Sequence, residues 1–254
     1  MARSLWAALA AAVLVGGSGQ AATDPDEALV EDLVTANHIL ADQGVLYGLG
    51  HVSVRSAKSP SHYYIAISKG PGIVTRADIM EFDADSQPVR PDSRPFYSER
   101  YIHGEIYRVR PDVKSVVHSH ARAVLPFTVT KTPLKAVIHT AYFLGTEPAP
   151  VFEIREAVGE KNDMLVSNAN SGAALAKVLG GRAVALMRGH GMVVTGPTIK
   201  DAVFRAIHTQ INAQVEMEAM RLGQPVFLNR FEIDRSERVE RSWDEWAAKA
   251  QPGR

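Results

Sequence analysis

Ser98 to Ala121 reads SERYIHGEIYRVRPDVKSVVHSHA, and this stretch decides the fold. Ser98 is a good helix N-cap, and Glu99 falls in the first turn, where a carboxylate suits the helix dipole. Ile102, Ile106 and Val109 recur at helical spacing and predict a buried face. Pro111 stops the helix near Arg110. Lys114 to His120 then reads as a strand, with Val116 and Val117 as its apolar body. Side chains alternate along a strand, so His118 and His120 project to one side and Ser119 to the other. Two imidazoles on one face can share a metal ion, although the pair is also compatible with two separately hydrogen-bonded rings.

Working outward to the N-terminal side, His51-Val52-Ser53-Val54-Arg55 alternates and predicts a strand that starts at His51. Tyr63 to Ile67 predicts its hairpin partner. Gly48-Leu49-Gly50 precedes the first strand as a flexible turn. Asp24 caps a helix with Pro25 at its first position; Leu29, Leu33, Ala36 and Leu40 line one face, and Gly44 stops it. Ser68 to Gly72 is a turn rich in exposed backbone amides, Thr75 to Asp78 a short helical or turn segment, and Met80 to Asp83 an edge strand. Pro88, Pro91 and Pro95 make the approach to Ser98 a loop.

On the C-terminal side, Ala121 to Val129 fits either a strand or a helix, and Ala136 to His139 predicts a strand. Thr140 to Pro150 is a loop holding Tyr142, Phe143 and Glu147. Ser171 to Leu179 predicts a helix capped by Asn170 and closed by Gly180-Gly181. Ala183 to Met187 and Met192 to Thr195 are strands joined by the turn Arg188-Gly189-His190-Gly191. Thr198 and Asp201 make a capping box for the longest helix, which runs to Leu222 and ends at Gly223 and Pro225. Its stripe is Ile199, Val203, Ile207, Ile211, Val215, Ala219 and Leu222. In the charged tail, Trp243 and Trp246 are expected to dock on the domain or on a neighbour. No repeat or linker interrupts the chain, so 23–254 reads as one domain.

Residues 1–22 have the pattern of a secretory signal: Arg3 as a positive start, Leu5 to Val15 apolar, and small residues from Gly16 to Ala22. The apolar run is too short to span a bilayer comfortably. Cleavage after Ala21 or Ala22 and a periplasmic location are the expectation, with no membrane attachment afterwards. The whole chain carries 28 basic and 28 acidic residues; without Arg3 it would carry 27 against 28. That balance gives no reason to expect nucleic acid or an anionic membrane as partner. Cysteine is absent, which excludes disulfides and thiolate metal sites. A metal would have to be held by imidazole, carboxylate or water, the set that suits zinc, manganese or iron(II).

His190 sits between two glycines that let the backbone bend and expose the ring. With His118 and His120 it makes three neutral nitrogen donors, and three protein ligands with an open position is the catalytic pattern for zinc. Glu99 is then a fourth ligand or a nearby base. One divalent ion per chain follows, zinc before manganese.

The order GHVSVR, SERYIH, RPDVKSVVHSHA, RGHG and the long helix after it resembles the class II aldolase/adducin family, over roughly residues 27–225. The resemblance implies a three-layer α/β/α domain around a mostly antiparallel sheet. It also implies a cyclic homotetramer with active sites between subunits. It carries metal ligation to His118, His120 and His190, and the acid/base role to Glu99. It places substrate contacts at Ser68, Gly70 and Ser98, and points to Thr140 and Tyr142 near the family's product-protonating tyrosine. The chain departs from the family's sugar-phosphate aldolases in three places. His51 stands where they usually have asparagine, Tyr97 stands at one of their small phosphate-binding positions, and His139 is followed by Thr140 and not by tyrosine. A histidine at position 51 is similar to the family's decarboxylase-type branch, where it would bind a carboxylate or deliver a proton. His103, at i+4 from Glu99, is expected to be structural, either a donor behind the site or a core histidine, and Arg188 and Arg100 to form ordinary ion pairs.

The implied activity is a divalent-metal-dependent C–C lyase. It stabilises an enolate from a small, non-phosphorylated hydroxy-carbonyl or aromatic carboxylate, with decarboxylation ahead of retro-aldol cleavage. A sugar-phosphate aldolase or epimerase is the nearest alternative. A non-catalytic adducin-like binding module and a zinc-carrying protein are the alternatives outside catalysis.

Overall fold

The computed structural model describes residues 24–234 and 238–250; the expected export signal lies outside them. In chain order the elements are α1 (Pro25–Asp42), β1 (His51–Arg55), β2 (Tyr63–Ala66), β3 (Ile79–Phe82), α2 (Tyr101–Val109), β4 (Ser115–Ser119), α3 (Leu125–Val129), β5 (Val151–Phe152), α4 (Ile154–Val158), α5 (Ala169–Leu179), β6 (Val184–Met187), β7 (Gly191–Gly196), α6 (Ile199–Leu222) and α7 (Glu240–Lys249). Among the described residues no helix is long and apolar enough to cross a membrane.

The strands form one seven-stranded sheet in the order β3-β2-β1-β4-β7-β6-β5. Every pairing is antiparallel except β5 with β6. β1, β4, β6 and β7 are buried along their whole length, because helices cover both faces of the sheet. On one face Val52, Val54, Val117 and Val194 pack against Leu33, Leu40, Val203 and Ile207 of α1 and α6. On the other, Ile65, Val116 and Val193 pack against Ile102, Ile106 and Leu175 of α2 and α5. Each such side chain contributes about 1.5–3 kcal/mol of burial. The result is the expected three-layer arrangement around a mostly antiparallel sheet.

Several local expectations change in three dimensions. Ser98 does not cap the helix through its side chain: residues Ser98–Arg100 form a 3-10 turn, kinked at Glu99, that leads into α2. Val109 is 56 % exposed, because only the first two turns of α2 reach the sheet. α5 starts at Ala169, and Asn168, not Asn170, accepts the Ser171 N–H at 3.0 Å. The ambiguous stretch after β4 resolves to the short helix α3. On α6, Ile211 and Val215 are 39 % exposed and Leu222 is 93 % exposed. The inward face at that level is Thr209, Asn212, Ala213 and Glu216. The stripe at four-residue intervals drifts away from the core, since a helix turns every 3.6 residues.

That polar inward face explains why residues 136–139 form no strand. Asn212 Oδ1 accepts the N–H groups of Val137 (2.9 Å) and Ile138 (3.3 Å), and its Nδ2 donates to Lys135 O at 2.8 Å. Glu216 Oε2 accepts the Lys135 N–H at 3.1 Å. Side chains of α6 thus take the hydrogen bonds a neighbouring strand would have taken. Glu216 Oε1 is buried without a partner, and burial pushes the carboxyl up to about 7. The folded chain therefore holds a proton that the unfolded chain releases, and stability is lost as pH rises from 4.5 to about 7. Glu216→Gln should flatten this dependence. Melting curves from about pH 5 to about pH 8 should show the variant gaining on the wild type as pH rises; parallel curves would refute the assignment.

Trp243 of α7 docks on its own chain: it is 5 % exposed within the α1–α6 core, while Trp246 lies partly buried beside it. Trp243→Ala should cost about 3–5 kcal/mol in denaturant unfolding. A loss below about 1 kcal/mol would mean that α7 is only loosely attached.

Candidate active site

The sheet brings the histidines together. β1 and β4 are neighbours, and His51 stands opposite His118 in their ladder. Both rings lie on the α2 side. His120 follows one residue beyond β4, and His190 arrives on the turn between β6 and β7. That turn approaches the β4 end so closely that a Cβ on Gly191 would run into the Ser119 carbonyl oxygen. Gly50 is equally constrained: its φ is +83°, and a Cβ there would lie 2.7 Å from His118 O. Thr128 of α3 holds the turn by accepting the Gly189 N–H at 3.0 Å.

The Nε2 atoms of His118 and His190 each lie 3.0 Å from His120 Nε2. Glu99 Oε2 lies 3.5 Å from His118 Nε2 and from His190 Nε2. The four ligand atoms all fall within 4.8 Å of one another. His118 Nδ1 faces Met192 O at 3.2 Å, and His190 Nδ1 faces Met164 O at 2.9 Å. A carbonyl only accepts, so each Nδ1 carries the hydrogen and each neutral ring turns a bare Nε2 lone pair inward. Lone pairs and a carboxylate converging on one point repel unless a cation lies between them. Tetrahedral zinc ligands at 2.0–2.1 Å would sit about 3.3 Å apart, close to the separations here. The donor set therefore fits a divalent cation that favours imidazole and oxygen.

The electrostatics follow from burial and proximity. Burial pushes the Glu99 carboxyl up, but His118 and His190 outweigh it and hold the group below its ordinary range. Burial lowers His190, yet its contact with Glu99 leaves it raised overall. His120 is pushed down to about 4, first by burial and then by the two neighbouring rings. Burial, with His103 and His118 nearby, holds His51 well below its ordinary value.

A cleft opens over this cluster. His51, Ser68, Gly70, Ser98, Glu99 and His120 all line it, together with Lys69, Phe96, Tyr97 and Leu165. The Tyr97 ring lies 4.5 Å from the His51 ring. Its hydroxyl donates to Lys69 O at 2.7 Å and accepts from Lys69 N at 3.4 Å. The phenol thus occupies an amide of the Ser68–Gly72 turn that an anion would otherwise use. Thr140 and Tyr142 are not brought to this cleft. They lie on the 3-10 turn His139–Leu144, and Tyr142 lines a separate cleft with Arg182, Thr195 and Arg205, at the far end of β7 from His190. Arg188 pairs with Glu153, as expected of an ordinary ion pair. Among the described residues Arg100 has no carboxylate partner; it donates to Ser86 O at 2.7 Å and lies over the Phe96 and Tyr101 rings.

The sequence reading missed the segment between α4 and α5. Val166 donates its N–H to Glu99 Oε1 at 2.9 Å, and Met164 presents its carbonyl to His190. Both contacts run through the main chain, so no side-chain identity could have signalled them.

Comparison with known proteins gives the family and the fold. The model of the "Class II Aldolase and Adducin N-terminal domain" family matches residues 31–217. The decarboxylase tropJ of Talaromyces stipitatus is 35 % identical over 252 residues, covering 88 % of this chain and 94 % of the relative. The 3,4-dihydroxyphthalate decarboxylase of Arthrobacter keyseri is 27 % identical, covering 76 % of this chain and 79 % of its own. Among solved structures, the L-fuculose 1-phosphate aldolase of Glaciozyma antarctica superposes with a TM-score of 0.69 at 21 % identity, covering 87 % of this chain and 86 % of that one. At that identity the likeness concerns the fold.

Proposed function

Because the chain belongs to the class II aldolase and adducin N-terminal domain family, we propose that it is a divalent-metal-dependent C–C lyase, a decarboxylase before an aldolase. The observation that carries this reading is the convergence of His118, His120, His190 and Glu99 on one point, with Glu99 and His120 lining the cleft beside it. A storage or scaffold protein has no need of a carboxylate held beside three imidazoles under an open cleft. His118, His120 and His190 would hold the ion, zinc or manganese by donor type. When bound, the ion supplies a positive charge that stabilises the enolate left when a C–C bond next to a carbonyl breaks.

The chain's own residues do the rest. Val166 fixes Glu99 through Oε1 and leaves Oε2 to move a proton at the reacting carbon or oxygen. His51 faces the same cleft and orients the substrate. Ser68, Gly70 and Ser98 offer small polar contacts along the rim. Tyr97 covers the Lys69 amide and adds a ring beside His51, which favours a flat, oxygen-rich carboxylate over a phosphate ester. The similarity to two proteins named decarboxylases points the same way.

The test is direct. The zinc- or manganese-loaded protein is offered 3,4-dihydroxyphthalate and hydroxybenzoates, with carbon dioxide release as readout, and hydroxy-carbonyl compounds, with aldehyde release as readout. A fully loaded protein that releases neither from any of them sinks the lyase reading.

We also propose export through residues 1–22 and assembly as a cyclic homotetramer. A head-to-tail ring would let Thr140 and Tyr142 of one copy face the next copy's cleft. Mixing refolded Glu99→Gln and Tyr142→Phe chains should then restore part of the activity that each lacks alone; no recovery would argue for a site complete in one chain.

A further inference from the structure

Two polar ladders face each other beside the cleft, and the mechanism above uses only their upper rungs. One is His51, Ser53 and Arg55 on β1; the other is Glu99, His103 and Tyr107 along α2 and the turn before it. Two residues of strand rise about 6.7 Å and four of helix about 6 Å, so the ladders stay in step. They interdigitate as a single hydrogen-bonded chain. His51 Nδ1 lies 2.6 Å from His103 Nε2, His103 Nδ1 lies 2.6 Å from Ser53 Oγ, and Ser53 Oγ lies 2.8 Å from Tyr107 Oη. All four residues are buried, His103 and Ser53 completely.

The direction of this chain is decided at its inner end. The Tyr107 hydroxyl has one hydrogen to place, and Ser53 Oγ lies 2.8 Å away with a lone pair to receive it. The other polar groups around it, the Val116 backbone N–H and the Arg55 guanidinium 4.6 Å above the ring, offer only donors. Leaving a buried hydroxyl without an acceptor costs about 1–3 kcal/mol, so Tyr107 donates to Ser53. Ser53 then has its own hydrogen to place, and His103 Nδ1 is the atom left to accept it. Among the described residues no carboxylate touches His103, whose two nitrogens are taken by Ser53 and His51, so the ring is neutral and carries its hydrogen on Nε2. That hydrogen is donated to His51 Nδ1. A neutral His51 must then carry its own hydrogen on Nε2. Among the described residues that nitrogen has no hydrogen-bond partner; it is not among the buried unpaired atoms, and its residue lines the cleft.

We propose that Tyr107, Ser53 and His103 form a one-way hydrogen-bond chain that fixes His51 with its proton on Nε2, aimed into the cleft as a permanent donor. His103 is then a positioning residue, not a catalytic one. The consequence for substrate choice rests on the lyase reading: the atom that meets His51 must be an acceptor, such as a carboxylate, carbonyl or hydroxyl oxygen, and a group that can only donate, such as an ammonium, is disfavoured there. The tautomer itself does not depend on that reading.

Solid-state nitrogen NMR of the full-length, zinc-loaded protein, with 15N-labelled histidine, reads the tautomer without any substrate. A His51→Asn sample identifies the His51 signals. The wild type should show His51 and His103 each protonated at Nε2 with Nδ1 as acceptor. Tyr107→Phe removes the hydroxyl that sets the direction, and the opposite tautomer of His51 should appear beside the first at comparable intensity. Wild-type His51 protonated at Nδ1, or already mixed, would overturn the proposal; so would a Tyr107→Phe spectrum with His51 unchanged. If the variant misfolds, the wild-type spectrum still decides. If the tautomer is as stated but no carboxylate or hydroxy-carbonyl compound is cleaved, the lyase reading fails and the chain stands.

Discussion

Replacing Glu99 with glutamine should leave about one divalent ion per chain and lower turnover by about 10²- to 10⁴-fold, the usual worth of a positioned acid/base group. Glutamine keeps the shape of the side chain and an oxygen for the Val166 N–H, so the segment that crosses the site should stay in place. The three imidazoles remain, and with them the main hold on the ion. What disappears is the carboxylate oxygen 3.5 Å from His118 and His190. Metal analysis and single-turnover kinetics on the same preparation separate the two roles. Loss of ion and activity together would make Glu99 a ligand and would require another base.

His118→Ala should abolish metal binding. His118 is 0 % exposed, its Nδ1 is held by Met192 O, and its Nε2 stands between His120 and Glu99. Its removal takes away the donor that stands 3.0 Å from His120 Nε2 and 3.5 Å from Glu99 Oε2, and with it one of the three imidazoles of the cage. Elemental analysis should fall from about one ion per wild-type chain to near zero. A bound ion stabilises only the folded state, so a chelator should lower the melting temperature of the wild type and leave the variant unmoved. His120→Ala, at a less buried ligand, controls for simple unfolding. No metal in the wild type after reloading with zinc or manganese would sink both the site and the proposed activity.

Much of this arrangement is legible in local patterns. Alternation along a strand puts His118 and His120 on one side whatever the rest of the fold does. The same rule puts His51, Ser53 and Arg55 on one face of β1. Helical spacing aligns Glu99, His103 and Tyr107. The absence of cysteine restricts the donors that a metal could meet. These are covalent and short-range facts, and they survive into the fold unchanged. Periodicity alone served less well where the helix carries polar residues inward, as at Asn212 and Glu216, or where the core ends, as at Val109.

What only three dimensions could decide is which faces meet. His190 reaches His120 because β7 pairs with β4 and not with a sheet edge, and because Gly191 lets the turn pass against Ser119. Val166 and Met164 join the site through backbone atoms, which every residue type shares. Tyr142 follows the metal-ligand motif closely in the chain, yet its turn lines a cleft with Thr195 and Gly196, at the end of β7 away from His190. Residues 136–139 have the composition of a strand, but α6 claims their hydrogen bonds first. Local chemistry sets the direction of each side chain; strand order and long-range hydrogen bonds set its company.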